Sequence, residues 1–462
     1  MLLCDDAVPA ALAAERRRSR LPSLSAAGLR GGRLAWAHAV GSSDGDGEAA
    51  TPDTTYRIGS ITKPMVAVLV MRLVDEGLVG LTDDITAHLP DVPALAGVRV
   101  LDLLGHSSGL HAEPLGPWWE RSPGRTWEEL LGSLRPAGVP GHRFHYSNLG
   151  FAVLGRLVER HRSLGWYGVL RAEVLEPLGM RSTGYDPGAG AARGLAVHPH
   201  ADLVLREAVQ DLGAMAAAGQ LWSTAADLAR FGAFLARGDT RVVSERSRAL
   251  MSTPRMVVDA PWAGQVQSYG LGLEIRWGPD GRLIGHSGSV PGFVGALRVD
   301  PATGDGVALL TNSTAGLSAT IAPQLLGASA PTPPPESTPV EVSPQAEVPA
   351  GCEDGPPPTC ADITGVWYWG PVGHVLSEGD GLLRLDRLGV PGRASRFRPD
   401  GADRWLGLDD YWAGEVLEVR RRGTPGAHLD LASFRFTRTP YDPAGDIPGG
   451  VDPAGWQPVR WG

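Results

Sequence analysis

Lysine is almost missing from this chain: a single one, Lys63, occurs in 462 residues, although Lys and Arg together number 42. Arginine carries positive charge everywhere else. It stays protonated at any biological pH, whereas a lysine buried among polar groups can lose its proton and act as a base. Lys63 follows Ser60 at helical i, i+3 spacing in Ile58-Gly59-Ser60-Ile61-Thr62-Lys63-Pro64, and the spared lysine is read here as chemistry. Drift of a GC-rich genome toward arginine codons is the alternative, and the neighbouring residues argue against it. Positive charge is also short overall. The net charge of -9 leaves no basic surface for nucleic acid, so nucleic-acid binding is not expected. The apolar run from Pro64 to Met71 ends at Arg72, too short to span a bilayer, and reads as a buried helix. Cysteine is nearly absent as well. Cys4, Cys352 and Cys360 make an odd count that points to free thiols, with a Cys352–Cys360 pair left open for an oxidising compartment. Missing too is any Gly-rich phosphate loop or dinucleotide fingerprint ahead of a suitable helix, so no cofactor is expected. The opening residues Met1 to Asp6 carry acids where a signal peptide has a basic region, from which a cytoplasmic location is expected.

At 48.7 kDa the chain is larger than one ordinary domain. Proline clusters at 331–335 and 356–358, in a stretch poor in large apolar side chains, mark an extended linker over 328–362. Residues 1–327 and 363–462 are therefore expected to be separate domains. In the first, Ser23 to Val40 reads as a hairpin around Gly31-Gly32. Helix-period segments follow, and Tyr269 to Asn312 reads as consecutive strands, which gives a mixed α/β (α+β) layout. In the second, Gly365–Trp369, Leu382–Leu385, Gly414–Arg420 and Ala432–Thr437 are strand-like runs between Gly and Pro turns, the pattern of a small all-β sandwich or barrel.

Three short segments of the first domain carry reactive residues. Gly59 before Ser60, with an apolar helical run after it, places the serine at a helix N-terminus. Free N–H groups there favour an alkoxide and later an oxyanion. Ser60 and Lys63 then share one face of the first turn, where Pro64 is tolerated because first-turn N–H groups have no intrahelical partner. The second segment is His145-Tyr146-Ser147-Asn148-Leu149. A tyrosine near a cation can be held as phenolate and relay a proton, although a helix start with Asn148 as cap and Tyr146 packing would give the same string. The third, Gly285-His286-Ser287-Gly288-Ser289, has small residues that let a substrate backbone lie against a strand edge.

In this order, Ser-Ile-Thr-Lys, Tyr-Ser-Asn and His-Ser-Gly resemble the motifs of the class C β-lactamase-like serine hydrolases. That superfamily includes penicillin-binding proteins, D-alanyl-D-alanine carboxypeptidases, D-aminopeptidases, family VIII esterases and peptide cyclases. Leu101 to Leu110, Leu175 to Met180 and Gly219 to Leu228 add to a resemblance that spans about residues 20 to 320. It implies a β-lactamase/transpeptidase-like domain, with an antiparallel sheet flanked by helices and an all-helical lobe. The C-terminal region is similar to appended lipocalin-like domains. The resemblance implies Ser60 as nucleophile, Lys63 as its base and Tyr146 as proton relay. Asn148 would hold a substrate amide or the lysine, and the Ser60 and Ser289 N–H groups would form the oxyanion hole, with His286, Ser287 and Gly288 completing the substrate strand. Relatives with strong β-lactamase activity begin this third motif with lysine. Here His286 weakens the hold on a substrate carboxylate, which shifts the expectation toward esters, amides or D-peptides. A peptide cyclase or acyltransferase, and a penicillin-binding module without turnover, are the alternatives. A small-molecule or peptide substrate is expected, and no protein partner is implied.

Other candidates have plainer readings. Trp118-Trp119 either lines an acyl pocket or packs on a neighbouring strand. His198-Pro199-His200 reads as a loop rather than a metal site, because no carboxylate or cysteine accompanies it. Arg16 to Arg18 and Arg420 to Arg422 read as solvated surface. His106 is expected to anchor a loop, and Thr224 with Asp227 to cap a helix.

Overall fold

The structure is a computed structural model that describes residues 2–258, 267–278, 281–327, 360, 362–388, 394–424, 426–442 and 447–459. Most of the expected linker at 328–362, with Cys352, lies outside the described residues; Cys360 is buried.

The N-terminal body is built on an eight-stranded antiparallel sheet. Its spatial order is Arg33–Gly41, Ser23–Arg30, Gly306–Thr311, Phe293–Val299, Gly281–Val290, Glu274–Gly278, Gln267–Tyr269 and Met256–Val258. Side chains alternate across a strand, so each central strand feeds two cores. Leu24, Ala26, Val307 and Leu309 pack with helices Val8–Arg18 and Ile321–Leu326 on one face. Ala27, Leu29, Ala308 and Leu310 join the Ala225–Arg237 helix in the main core on the other. Gly31 and Gly32, both at positive φ (59° and 79°), make the expected two-residue hairpin loop, whose twist suits the flanking strands. One expectation is corrected at the edge of this sheet: Arg16 is buried, with its aliphatic stem against Gly41, while Arg17 and Arg18 face solvent.

Helix Thr62–Asp75 is buried without interruption from Thr62 to Met71, so it is a core helix and not an amphipathic surface one. It packs on Asn148–Arg162 in an all-helical lobe beside the sheet. No helix among the described residues is long and apolar enough to cross a membrane.

The C-terminal region is a closed eight-stranded antiparallel barrel in which each strand pairs with its sequence neighbour. Gly365–Trp369 closes on Phe434–Thr437 through the pairs Tyr368–Thr437 and Trp369–Phe436. Trp367, Leu376, Phe397, Trp405, Leu417 and Leu429 are among the side chains of its packed core, as expected for a barrel of this strand number. The barrel shares a core with the body. Trp118 lies against Trp369 and Phe434, with ring centroids 5.3 and 6.0 Å away, so it is a docking residue and not an acyl-pocket wall. The buried pair Arg121–Glu207 sits beneath Tyr441, whose hydroxyl donates to Glu207. Arg420 and Arg421 are exposed, and Arg422, partly exposed, bridges the exposed Asp362 and the partly exposed Asp403.

Candidate active site

Ser60 occupies a 3-10 turn, Gly59–Ile61, that runs directly into helix Thr62–Asp75. The turn presses on the Gly281–Val290 strand, backbone against backbone. A Cβ on Gly59 would lie 2.8 Å from Ser289 N, and one on Gly288 would lie 1.9 Å from Ile58 O. Gly59 is also at φ +53°, a conformation that costs other residues energy. Two glycines therefore bring Ser60 and the Ser289 amide to the same place.

Lys63 is fully buried. Its Nζ lies 2.9 Å from Ser60 Oγ, 2.7 Å from Asn148 Oδ1 and 2.7 Å from the Ala218 carbonyl. The amide and carbonyl oxygens can only accept. A neutral amine would satisfy both with its two N–H groups and keep its lone pair for the Ser60 hydroxyl proton. Such a geometry suits a base more than a permanent cation.

Asn148 reaches Lys63 because it begins helix Asn148–Arg162 without capping it. The cap is Ser147, whose Oγ accepts from Gly150 N at 3.1 Å and donates to the His111 carbonyl at 2.7 Å. Tyr146, just before the cap, is half-buried. Its ring stacks on His106 at 4.1 Å and lies under the Lys63 amine, 5.0 Å from the centroid. His106 takes up positive φ (54°) and accepts from Ser147 N at 3.1 Å, which fixes the loop that carries Tyr146.

The third segment divides in two. His286 is buried, with Nε2 2.9 Å from the Tyr269 hydroxyl and Nδ1 against the Ser287 carbonyl, so Nδ1 carries the proton and Nε2 accepts. Burial pushes its pKa down to about 4, against the opposing charge of Glu274. It is neutral at physiological pH and supplies no charge for a carboxylate. Ser287 turns away from Ser60: its Oγ is held by Glu274 and Arg298 at 3.1 and 2.5 Å. Ser289 is exposed and Gly288 buried.

Sequence reasoning missed two groups. Glu113 is buried among three donors: Asn148 Nδ2 at 2.8 Å and the hydroxyl of Tyr411 on Oε1, and Trp119 Nε1 at 2.5 Å on Oε2. Tyr411 belongs to the barrel and packs against Tyr146, ring centroids 6.2 Å apart. The only sequence signal for Glu113 was an acid in an otherwise apolar loop; nothing pointed to Tyr411. A separate cavity of about 600 Å³, lined by His111, Arg135, Arg404, Glu415 and Glu418 among others, opens between this loop and the barrel. Ser60, Lys63 and Tyr146 do not line it.

Residues 8–329 match the family model described as beta-lactamase. The chain belongs to the beta-lactamase family. Residues 356–438 match a second model, a domain of unknown function. Penicillin-binding protein 4 of Amycolatopsis lactamdurans is 29% identical over 65% of this chain and 86% of its own length. The D-amino acid amidase of Ochrobactrum anthropi SV3 superposes with a TM-score of 0.58 and 26% identity, covering 67% of this chain and 92% of that one. The octameric penicillin-binding protein homologue from Pyrococcus abyssi shares the fold, with a TM-score of 0.62 at 22% identity, over 93% of this chain and 99% of the other. Family membership makes the chain a serine hydrolase of this superfamily. Among the described residues no group of three or more His, Cys, Asp or Glu could hold a metal ion.

Proposed function

We propose that this beta-lactamase-family hydrolase works through an acyl-enzyme on Ser60 and cleaves an ester, an amide or a D-amino-acid peptide bond, with weak or no β-lactamase activity. The observation that carries the reading is the buried Lys63 amine, 2.9 Å from Ser60 Oγ and 2.7 Å from two pure acceptors, Asn148 Oδ1 and the Ala218 carbonyl. Lys63 takes the hydroxyl proton as Ser60 Oγ attacks the substrate carbonyl. Negative charge develops on the carbonyl oxygen between the Ser60 and Ser289 N–H groups. Tyr146 passes the proton to the leaving group, and in the second half-reaction takes one from the water that releases the acyl group. The neutral His286 supports the choice of substrate, since a penicillin or a peptide C-terminus brings a carboxylate that finds no charge on this side chain. The amidase likeness supports an amide or D-configured substrate.

Intact-protein mass spectrometry over time with an activated short-chain ester and a penicillin, followed by peptide mapping, tests this reading. A transient ester adduct on Ser60 with little penicillin adduct is expected. A long-lived penicillin adduct would point to a binding module instead, and capture of the acyl group by an added amine in preference to water would point to an acyltransferase.

A further inference from the structure

Asn148 can meet Lys63 in two ways, with its oxygen or with its NH2 group. Only the first leaves the lysine lone pair to Ser60, because an amide NH2 facing Nζ would compete for that lone pair. Something must hold the amide the right way round. On the far side of Asn148, Nδ2 is 2.8 Å from Glu113 Oε1, and the same oxygen accepts from the hydroxyl of Tyr411. Oε2 accepts from Trp119 Nε1, a group that can only donate. Three donors converge on one buried side chain, an arrangement that suits an acceptor-only carboxylate.

We propose that Glu113 is a positioning residue that as a carboxylate fixes the Asn148 amide with Oδ1 on Lys63, and that the barrel takes part in acyl transfer through the Tyr411 hydroxyl bound to the same Glu113 oxygen. The inference rests on the Ser60 acyl-enzyme reading. It gives the C-terminal barrel a role in the reaction: Tyr411, in the 3-10 turn 410–412, reaches out of the barrel into the hydrogen-bond network behind the lysine. Loss of this hydroxyl would leave Glu113 one donor short and the Asn148 amide less firmly oriented.

The arrangement carries a pH signature. Burial and the charge of Glu120 push Glu113 up to about 7, against the hydrogen bonds from Tyr411, Trp119 and Asn148 that favour the carboxylate. The charged and titratable groups around it are Glu120 on the 119–121 turn, Tyr411 from the barrel, the His111–Glu415 pair beside Ala112, and Lys63 through Asn148. Protonated Glu113 can itself donate, and the constraint on the amide is relaxed.

The test is the rate at which a fluorophosphonate labels Ser60 in the full-length chain, read by intact mass from pH 5 to 9 for wild type, Glu113→Gln, Tyr411→Phe and the double variant. This reads nucleophile activation without a known substrate. The wild-type rate is expected to rise through pH 7. Glu113→Gln is expected to lose that rise and to label at least ~10-fold more slowly at pH 8, in the range of lost positioning effects. Tyr411→Phe keeps the ring and its packing; it should move the rise to higher pH, and the double variant should be no slower than Glu113→Gln alone. Wild-type profiles in both single variants, or effects that multiply in the double variant, would overturn the inference while leaving the acyl-enzyme intact. Should Glu113→Gln not fold, an unmoved profile in Tyr411→Phe overturns it alone. Absence of Ser60 labelling in the wild type would bring down the acyl-enzyme reading and this inference together.

Discussion

Lys63 Nζ and Ser60 Oγ stand 2.9 Å apart, with the lysine wholly removed from water. A buried ammonium is costly, and the Asn148 and Ala218 oxygens, each 2.7 Å from Nζ, are neutral acceptors. Lys63→Arg keeps the charge but installs a group that does not give up its proton. Acylation of Ser60 should fall by at least ~100-fold, the scale of general-base effects. The rate of Ser60 adduct formation, followed by intact mass, checks it; wild-type rates in the arginine variant would rule out Lys63 as the base.

Gly288→Ala should separate the reactive turn from its strand. The new methyl would fall 1.9 Å from the Ile58 carbonyl, inside any permissible contact, and the obstacle is backbone that has no rotamer to escape to. A displacement of about 1 Å between Ser60 and Ser289 is enough to cost on the order of 100-fold in rate through lost alignment. Labelling of Ser60 should therefore slow sharply in protein that still elutes as folded chain. Alanine labelling at the glycine rate would show that the turn has room to move.

Much of this was legible in the sequence. The lone lysine, the Ser60 spacing and the Gly31-Gly32 hairpin follow from local rules, and Tyr269 to Asn312 reads as consecutive strands, as the structure has it. What escaped was of two kinds. Asn148 and Ser147 are adjacent and of residue types that both favour the cap position; only the fold shows that Ser147 caps and Asn148 turns inward to Lys63. Glu113 and Tyr411 are separated by 298 residues, so no local pattern joins them. Trp118 fell between two readings for the same reason, since its partners are in the barrel.

His286 should make stability depend on acid. A histidine in the unfolded chain titrates near ~6.5, whereas burial holds His286 down to about 4. Between these values the unfolded chain binds a proton that the fold refuses. The contribution is complete above about pH 6.5 and is lost as pH falls toward 4, up to ~3 kcal/mol in all. Urea unfolding of the wild type and His286→Gln from pH 7.5 to 4.5 should show a steeper decline for the wild type. Parallel curves would mean that the histidine accepts its proton inside the fold.

Arg121 and Glu207 form an ion pair at 3.1 Å with both side chains 1% exposed, capped by Tyr441 of the C-terminal segment. Such a pair adds little as a pair, because desolvating two charges offsets their attraction. Removing one partner is different. Arg121→Met would strand Glu207, which burial already pushes toward the neutral form, and should cost ~3–5 kcal/mol where the acid is charged. Glu207 can escape by taking up a proton, so the loss should be smaller at pH 5 than at pH 8, and Arg121→Met with Glu207→Gln should recover part of it. Urea unfolding at the two pH values decides the matter. A loss under ~1 kcal/mol, the size of an exposed pair, would show that water reaches this junction and that the barrel is held by its aromatic contacts alone.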